Sequence, residues 1–411
     1  MSGVDRHHSE HLNFRAKSSF ILVGLSSGHA IFHWFTQSFL VMLPEVKATF
    51  GLSPVQVGAI NSMREVMAGI VTLPGGVLAD FLRHSWGLIL ALCMGGFGIG
   101  WLLIGLAPIY PLLLVGMAVV STASSIWHLP AAASLSHRFA HRRGAALSIH
   151  SVGGSLGDVI GPLLTGALLG FLAWQQLLSS YSVVPMFLAF AVFWAFRDIG
   201  HTGDAQDQNR FRDQLELTRA VLRRPLLWGV TLVAGIRGMG YLAFVTFLPL
   251  YLRESLALSS FNVGVHIGLL VGVGVVSAPV LGHVSDRFGR KLVLLPSLVA
   301  LAAISFSIAM FGEGMILTLL IALLGVFLYS DQPILTATAL DIVGDQVATT
   351  TLGVLSFSRF ILGAASPIIA GFLYQSEGVQ ATFIYASSLF VLAALLLAFL
   401  PLGRKHARNA N

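Results

Sequence analysis

Long runs of apolar residues alternate along this chain with short polar segments. No Asp, Glu, Lys or Arg occurs at positions 84–137, 159–196 or 378–403. A helix needs about 20 apolar residues to cross the hydrocarbon core of a bilayer, so the first run predicts two crossings and the second nearly two. The whole pattern predicts twelve membrane-spanning helices, at 18–43, 54–80, 86–107, 110–133, 145–171, 177–197, 226–252, 259–283, 292–312, 315–340, 350–374 and 379–401.

The composition points to the same class, an all-α polytopic membrane protein. The chain is 55% hydrophobic and 10% charged, whereas soluble domains carry about 25% charged residues. Its single cysteine, Cys93, excludes a disulfide framework and a cysteine metal cluster. The net charge of +6 could suggest a nucleic-acid partner, but the basic residues lie in short loops, where they set the orientation in the membrane. The expected partner is therefore the lipid bilayer and not nucleic acid.

The distribution of basic residues predicts the orientation. If both termini are cytoplasmic, nineteen Lys and Arg residues lie on the inner side, and only Lys47 and Arg253 lie outside. Cytoplasmic loops carry an excess of Lys and Arg, so we expect a multi-pass protein of a bacterial inner membrane with both termini inside. The polar segments divide the chain into an N-terminal tail (1–17), a six-helix bundle (18–197), a linker (198–224), a second six-helix bundle (225–402) and a C-terminal tail (403–411).

Two loop segments 206 positions apart indicate an internal repeat. The segment from Gly282 reads Gly-His-Val-Ser-Asp-Arg-Phe-Gly-Arg-Lys, and a degraded copy from Gly76 reads Gly-Val-Leu-Ala-Asp-Phe-Leu-Arg. Asp80 corresponds to Asp286 at the same offset. A repeat of half the chain length, set between apolar segments, predicts two pseudo-symmetric six-helix bundles in tandem. Transporters are the membrane proteins most often built in this way.

Six plus six helices and this repeated loop resemble the major facilitator superfamily. The resemblance implies a fold with a central cavity, transport by alternating access, and a cytoplasmic latch between the two halves. Within the latch, Gly282 is expected to let two helices approach closely, and Asp286 to face a neighbouring helix end. Helices two and eleven are also expected to meet between the halves. The predicted gating residues are Gly76, Asp80, Gly282, Asp286, Arg287, Gly289, Arg290, Arg64 and Arg359.

A narrower likeness concerns the fourth and fifth helices. The segments 127–132 (Trp-His-Leu-Pro-Ala-Ala), 142–144 (Arg-Arg-Gly) and 153–164, which is rich in glycine, are similar to the fosmidomycin-resistance branch of the superfamily. That branch contains drug exporters driven by inward proton flow. Other antiporters share the glycine-rich run, so the likeness favours export more than any named drug.

Polar residues within the predicted spans are the candidates for the substrate cavity, because ionisable groups are costly in a membrane. The resemblance implies that spans one, four, seven and ten line this cavity. Ser26, His29, His33 and Gln37 form one polar stripe on the first span, since they are spaced three or four residues apart. The predicted cavity residues are His29, His33, Gln37, His128, Arg237, Tyr241, Asp331 and Gln332.

Arg237 is the foremost candidate for contact with a substrate. A guanidinium near mid-membrane binds carboxylate, phosphonate or phosphate bidentately. The alternative is that Arg237 pairs with Asp331 and neutralises it, and a transporter can use both arrangements in different states. His128 and Asp331 are pseudo-equivalent, since each precedes a proline by two residues. A helix loosened at such a proline can expose backbone carbonyls to the cavity.

Three carboxyl groups, Asp158, Asp331 and Glu65, are predicted to couple transport to protons. A carboxyl group in apolar surroundings binds a proton more readily than one in water. For Asp158 a purely structural hydrogen bond is the alternative. His29 and His33 also match the i, i+4 spacing of a metal pair, but no third ligand lies on a nearby turn, so the sequence predicts no metal site. No cofactor is predicted.

These observations favour a monomeric secondary transporter that exports a small, anionic drug or metabolite in exchange for protons. One rival is a proton-coupled importer of an organic acid anion that uses the same arginine. A rival of another class is a non-transporting receptor or sensor, against which stands the lack of a soluble signalling domain in the sequence. No Ser/His/Asp set or nucleotide-binding loop points to an enzyme.

Overall fold

The structure is a computed structural model and describes residues 15, 17–200, 219, 223–343 and 348–402. This part of the chain is helical and contains no β-strand. Most of the predicted linker and of the two predicted tails falls outside the described residues. The all-α prediction is confirmed, and each of the twelve predicted spans has a helical counterpart.

Thirteen α-helices make up the described chain. Short 3₁₀ turns at Arg83–Ser85 and Ala140–Arg142 precede α3 and α5, and a π-helical turn at Tyr251–Ser255 continues α7. The helices are α1 (Ser18–Phe50), α2 (Pro54–Phe81), α3 (Trp86–Gly105), α4 (Tyr110–Arg138), α5 (Arg143–Leu168), α6 (Trp174–Phe196), α7 (Pro225–Leu250), α8 (Ser260–Phe288), α9 (Arg290–Phe311), α10 (Gly314–Leu328), α11 (Asp331–Val343), α12 (Ala348–Glu377) and α13 (Val379–Phe399).

Nine helical segments among the described residues are long and apolar enough to cross a membrane. Helices α1, α2 and α5 are not among the nine. These three carry several of the polar candidates, such as His33, Glu65 and Asp158, which lower their hydropathy. The nine segments are Arg83–Gly105, Tyr110–Arg138, Trp174–Phe196, Pro225–Ser255, Ser260–Phe288, Arg290–Phe311, Gly314–Val343, Leu355–Glu377 and Val379–Phe399.

The largest departures from the predicted spans are in the first and the tenth. The first runs to Phe50 rather than ending near position 43, although Pro44 removes one backbone donor from it. The last turn of α1 is bonded to the start of α6, because the Trp174 indole donates a 2.8 Å hydrogen bond to the Thr49 hydroxyl. The tenth predicted span is broken into α10 and α11, with Tyr329 and Ser330 in a turn between them.

The chain divides into two compact units. Unit one takes its residues from Met1–Gln37, Pro74–Gly161 and Gln175–Asp204, and unit two takes Ser38–Leu73, Pro162–Trp174 and Ala205–Asn411. The boundaries therefore fall inside α1, α2 and α5, and after the first residue of α6. The division of the chain at the linker 198–224 into two six-helix bundles stays a prediction.

Unit one has an aromatic core between α3 and α4. Trp86, Trp101 and Trp127 are almost fully buried. Helices α3 and α4 approach closely where two glycines face each other, since a Cβ on Gly100 would lie 3.0 Å from the carbonyl oxygen of Gly116. Larger residues at these positions would separate the helices that carry the buried tryptophans.

Unit two joins the second half of α1 and the first half of α2 to the later helices. The Asn61 amide donates a 3.0 Å hydrogen bond to the Thr246 hydroxyl on α7, and both residues are buried. At the end of α7, Glu254 accepts hydrogen bonds from the Lys47 ammonium (2.7 Å) and from the Tyr374 hydroxyl (2.8 Å). These polar contacts explain why residues 38–73 cluster with the second half of the chain.

Candidate functional site

Four histidines from three helices meet inside unit one. We call His29 and His33 on α1, His128 on α4 and His150 on α5 the histidine cluster. The ring of His29 lies at its centre, with ring centroids 4.4 Å from His33, 4.9 Å from His128 and 4.2 Å from His150. His150 stacks parallel to His29, whereas His33 and His128 meet it edge to face.

Hydrogen bonds fix three of these rings through the Nδ1 atom. Nδ1 of His29 lies 2.8 Å from the carbonyl oxygen of His150, and Nδ1 of His128 lies 2.6 Å from that of Ser124. Nδ1 of His33 lies 2.9 Å from Oδ1 of Asp158. A carbonyl oxygen can only accept, so His29 and His128 carry their proton on Nδ1. An ionised Asp158 imposes the same tautomer on His33.

Glycines on α5 bring these groups together. A Cβ on Gly157 would lie 2.1 Å from the carbonyl oxygen of Ala30, and one on Gly154 would lie 2.7 Å from the ring of His29. Helix α5 therefore packs against α1 without side chains at these positions. That approach places Asp158 beside His33.

The cluster contains residues whose meeting the sequence did not predict. His128, His29 and His33 each offer one ring nitrogen, and these atoms lie within 4.8 Å of one another. The sequence argument against a metal site considered ligands on nearby turns and so missed His128, which comes from another helix. His150 had no assigned role. Its spacing from Gly153, Gly157 and Asp158 on one face of α5 is the signal that could have found it.

Unit two holds a buried ion pair between α7 and α11. Nε of Arg237 donates a 2.7 Å hydrogen bond to Oδ2 of Asp331, and Nη2 lies 2.5 Å from Oδ1. The two side chains are 3% and 0% exposed. The structure thus contains the pairing that the sequence left as an alternative to substrate contact, and the contact of Arg237 with a substrate stays a prediction.

The break between α10 and α11 completes the surroundings of this pair. Helix α10 ends at Leu328, and its carbonyl oxygen accepts a hydrogen bond from Nη2 of Arg237. Asp331 begins α11, where a carboxylate is stabilised by the positive end of the helix dipole. The corresponding position in the first half behaves differently, because α4 continues through His128 and Pro130 without a break.

Two further arginines lie near this pair in unit two. Arg64 donates a 3.0 Å hydrogen bond to Glu65, the neighbouring residue on α2. Arg359 on α12 packs its stem against α7, since a Cβ on Gly238 would lie 3.1 Å from its Cγ. Arg359 also interacts electrostatically with Glu65, Arg237 and Arg64. We call Arg64, Glu65, Arg237, Asp331 and Arg359 the arginine cluster.

The arginine cluster carries a net positive charge. Three guanidinium groups face two carboxylates, and the ion pairs within 4 Å are Arg64–Glu65 and Arg237–Asp331. Among the described residues, no such pair involves Arg359, whose guanidinium instead lies 4.9 Å from the ring of Phe360. Arg359 is therefore the arginine of the cluster without a carboxylate within 4 Å among the described residues.

The other predicted cavity residues lie beside one of the two clusters. Tyr241 lies next to Arg237, with its ring centroid 5.2 Å from the guanidinium carbon, and meets Tyr329 edge to face. Gln37 in unit one and Gln332 in unit two each have a buried Oε1 without a hydrogen-bond partner among the described residues. Both oxygens are free to accept from a ligand or from water.

The loop motif after α8 forms a local network rather than a close helix contact. Arg290 bonds to Asp286 and Ser285, and its Nε donates a 2.9 Å hydrogen bond to Asp341 at the end of α11. Gly289 has φ +107°, a conformation that favours glycine. The guanidinium of Arg287 lies 5.5 Å from the ring of Phe288.

The described residues show the surroundings of Gly282 and Asp286 in this motif. A Cβ added at Gly282 meets no atom within 4 Å among the described residues, and the close helix approach expected there stays a prediction. Asp286 bonds to Arg290 four residues on, so the contact to a neighbouring helix comes from Arg290. The side chains of residues 73–81, which include Gly76 and Asp80, lie outside the described residues.

An apolar groove of about 690 Å³ lies in unit two along α8. Leu163, Val265, Val276 and Val326 are among its lining residues. None of the ionisable candidates lines this groove, so we place the chemistry at the two clusters instead.

Comparison with known proteins defines the class. The architecture and the intramembrane ionisable groups are those of a polytopic membrane transporter. The Major Facilitator Superfamily model matches residues 25–367 and 278–411. The chain therefore belongs to the Major Facilitator Superfamily, whose members are transporters that bind small molecules, and it is not an enzyme.

The relatives and solved structures are distant. The chain is 24% identical over 298 residues to the fosmidomycin resistance protein of Escherichia coli K12, and the match covers 70% of each chain. It is 22% identical over 358 residues to a probable L-galactonate transporter of the same organism, covering 80% of this chain and 77% of the relative. A bacterial homologue of the human lysosomal transporter Spinster has the same fold, with a TM-score of 0.78 at 15% identity, covering 92% and 96% of the two chains.

Proposed function

We propose that this protein is a proton-coupled secondary transporter that exports a small organic anion by alternating access. The observation that carries the proposal is the arginine cluster of unit two. Among the described residues, its three guanidinium groups outnumber its two carboxylates by one in the interior of a membrane protein. Such a charge is costly in a membrane unless a counter-ion accompanies it. A substrate anion supplies that counter-ion.

Arg359 and Arg237 have different roles in this proposal. Arg359 has no carboxylate within 4 Å among the described residues, so its guanidinium is the first contact for the anion. Arg237 is held by Asp331 and by the carbonyl of Leu328. An anion that reached Arg237 would compete with Asp331, and the freed carboxyl group would then take up a proton together with the anion. That coupling belongs to the second candidate, import with protons, and not to export in exchange for protons.

Asp158 is the foremost proton carrier in this proposal, followed by Asp331 and Glu65. Its carboxyl group is 16% exposed and lies 2.9 Å from Nδ1 of His33, which is 34% exposed. The pair joins a carboxyl group to a titratable ring on another helix, so a proton can be bound and released there. Helix α5 is held against α1 by glycine contacts, so a change at Asp158 is transmitted directly to α1.

Export is supported by the likeness to the fosmidomycin resistance protein. The second candidate is import of an organic acid anion with protons. It is supported by the same arginine cluster and by the likeness to a probable L-galactonate transporter, since galactonate is an organic acid anion. Both candidates use the same groups. They differ in whether the anion moves out of the cell against the inward flow of protons or into the cell with it. The protein is expected to act as a monomer in the inner membrane.

Growth of an efflux-deficient bacterial host distinguishes these candidates. The host expresses the protein and is challenged with toxic phosphonates, organic acids and lipophilic drugs. Export predicts increased resistance to an anionic compound, and that resistance should collapse when a protonophore is added. Increased sensitivity would instead establish import. An unchanged response to every compound, with the protein present in the membrane, would contradict transport of these classes.

A matched variant separates the role of charge from the presence of the protein. Arg359→Gln removes the guanidinium and is expected to abolish resistance to anionic compounds. Arg359→Lys keeps the charge and is expected to retain part of it. Equal activity of the two variants would argue against anion recognition at this position.

A further inference from the structure

The histidine cluster has the arrangement of a metal site. We propose that His29, His33 and His128 bind a divalent transition-metal ion of the zinc class within unit one. The three side chains come from α1 and α4, and one ligand atom of each lies within 4.8 Å of the others. This site is independent of the proposed transport function.

The described hydrogen bonds of the three rings are made by their Nδ1 atoms. In each ring Nδ1 is bonded, to the carbonyl of His150, to Asp158 or to the carbonyl of Ser124. With the proton on Nδ1, the lone pair that can bind a metal is on Nε2. Histidines that ligate metals almost always donate their other N–H to a carbonyl or a carboxylate, which fixes the ring and raises its basicity. His29, His33 and His128 all make such contacts through Nδ1.

A second observation also points to a ligand at this place. The ring of His150 is stacked on His29 and is only 5% exposed, yet its Nδ1 has no hydrogen-bond partner among the described residues. The hydroxyl oxygen of Ser26, on the same stripe of α1, is likewise buried without a partner. Buried polar atoms are normally satisfied by protein or by ordered water. Water molecules that complete the coordination of a metal would satisfy both atoms.

The charge and the size of the cluster suit a divalent ion. Three neutral imidazoles and the carboxylate of Asp158 offset part of the charge of the ion, and none of the described contacts of these rings involves Lys or Arg. Imidazole ligands favour zinc, copper and nickel over magnesium or calcium. At a zinc–nitrogen distance of about 2.0–2.1 Å, tetrahedral ligand atoms are about 3.4 Å apart. The ring nitrogens lie within 4.8 Å of one another, so small shifts of the side chains bring them to this spacing. His33 is partly exposed, so an ion can reach the cluster.

Three protein ligands leave one coordination position open. This position is available to water or to an anionic group of a bound small molecule. Protons and metal ions would compete for the same ring nitrogens, because a histidine must be neutral to ligate a metal.

Zinc binding by the full-length protein tests the proposal. Terminal histidines could bind zinc by themselves, so His7, His8, His11 and His406 are replaced by Ala in every protein, and no polyhistidine tag is used. Titration calorimetry with ZnCl₂ in detergent should give one ion per chain. His29→Gln, His33→Gln and His128→Gln should each lower the affinity by more than the 10–100-fold that is typical for loss of an outer partner, and Asp158→Asn by about 10-fold.

His266→Gln is the matched control. His266 lies on α8 in unit two and bonds to Asn262 and Thr318, away from the cluster. Its replacement should leave zinc affinity unchanged. Equal loss in the control and in the cluster variants, or unchanged affinity in all three cluster variants, would overturn the proposal.

A spectroscopic readout keeps the test decisive if a variant fails to fold. Cobalt(II) added to the parent protein should give visible absorption bands of four-coordinate nitrogen ligation, and zinc should displace them. Zinc should also raise the unfolding temperature of the parent protein. Absence of both effects would show that the four rings are polar packing alone.

Discussion

The guanidinium of Arg237 and the carboxylate of Asp331 form an ion pair in which both side chains are buried. Nε of Arg237 donates to Oδ2 of Asp331 at 2.7 Å, and the side chains are 3% and 0% exposed. Removing one partner of a buried pair leaves an uncompensated charge, which typically costs about 3–5 kcal/mol. The ion pair joins α7 to the start of α11, at the break between α10 and α11.

The first prediction concerns stability. Asp331→Asn leaves the Arg237 guanidinium without its counter-charge, so we expect it to lower the free energy of unfolding by about 3–5 kcal/mol. The combined variant Arg237→Gln/Asp331→Asn removes both charges and should recover most of this loss. Thermal unfolding in detergent measures the difference. Arg197→Gln serves as the control, because the Arg197–Asp198 pair is exposed and worth about 0–1 kcal/mol.

If Asp331→Asn unfolds at the same temperature as the parent protein, the ion pair does not contribute to the free energy of unfolding. Arg237 would then be free for a substrate at little cost to the fold.

A second prediction concerns discrimination between anions and neutral compounds. Arg359→Gln should weaken binding of an anion by about 10–100-fold, because it removes a hydrogen bond to a charged group worth about 1.5–3 kcal/mol. An anionic hydroxy acid identified in the growth assay and its uncharged lactone form a matched pair of probes. Ligand-induced stabilisation against thermal unfolding measures both. The lactone should bind the variant and the parent protein equally well, and a similar loss for both compounds would refute recognition of charge.

The third prediction concerns the packing of α5 on α1. A Cβ on Gly157 would lie 2.1 Å from the carbonyl oxygen of Ala30 and 2.8 Å from the backbone nitrogen of Trp34, so Gly157→Ala must displace backbone. Overpacking of this kind costs about 1–3 kcal/mol. The variant should unfold at a lower temperature and lose the contact between His33 and Asp158. Gly144→Ala, on the same helix, meets no atom within 4 Å and should leave the unfolding temperature unchanged.

The fourth prediction concerns the loop after α8. Arg290 forms ion pairs with both Asp286 and Asp341. Asp286→Ala removes one of these ion pairs, and Asp286→Ala/Asp341→Ala removes both. We expect the double variant to change the rate of alkylation of an introduced Gly282→Cys by about two- to fivefold, because such contacts are worth roughly 0.3–1 kcal/mol. Cys93→Ser provides the background. The single variant should have a smaller effect, and equal rates in all three proteins would count against a latch.

The fold could be predicted because its signal is local. The charge-free runs and the paired loops define twelve helices without knowledge of any contact. The break near Tyr329 was harder to predict from the sequence, since Pro333 indicated only a loosened helix. At the break, the carbonyl of Leu328 accepts a hydrogen bond from Arg237, a contact between distant parts of the chain that the sequence does not show.

The site could be predicted as a set of residues but not as a geometry. The stripe of His29 and His33 follows from helical spacing, and the pairing of Arg237 with Asp331 was an open alternative. The approach of His128 could not be found in this way, because it depends on how α4 is rotated about its axis. The glycines of α5 decide the distance between His33 and Asp158, and the sequence indicates their presence but not the helix they face.

Proton movement in proteoliposomes tests the central claim most directly. Purified protein is reconstituted with a trapped pH-sensitive dye, and a gradient of an anion identified in the growth assay is imposed across the membrane. The parent protein should move protons against the flux of the anion. Asp158→Asn should abolish this proton movement while anion exchange at equal concentrations persists. Proton movement of the same size in the variant, or anion flux in the parent protein that follows sodium and not protons, would contradict the account.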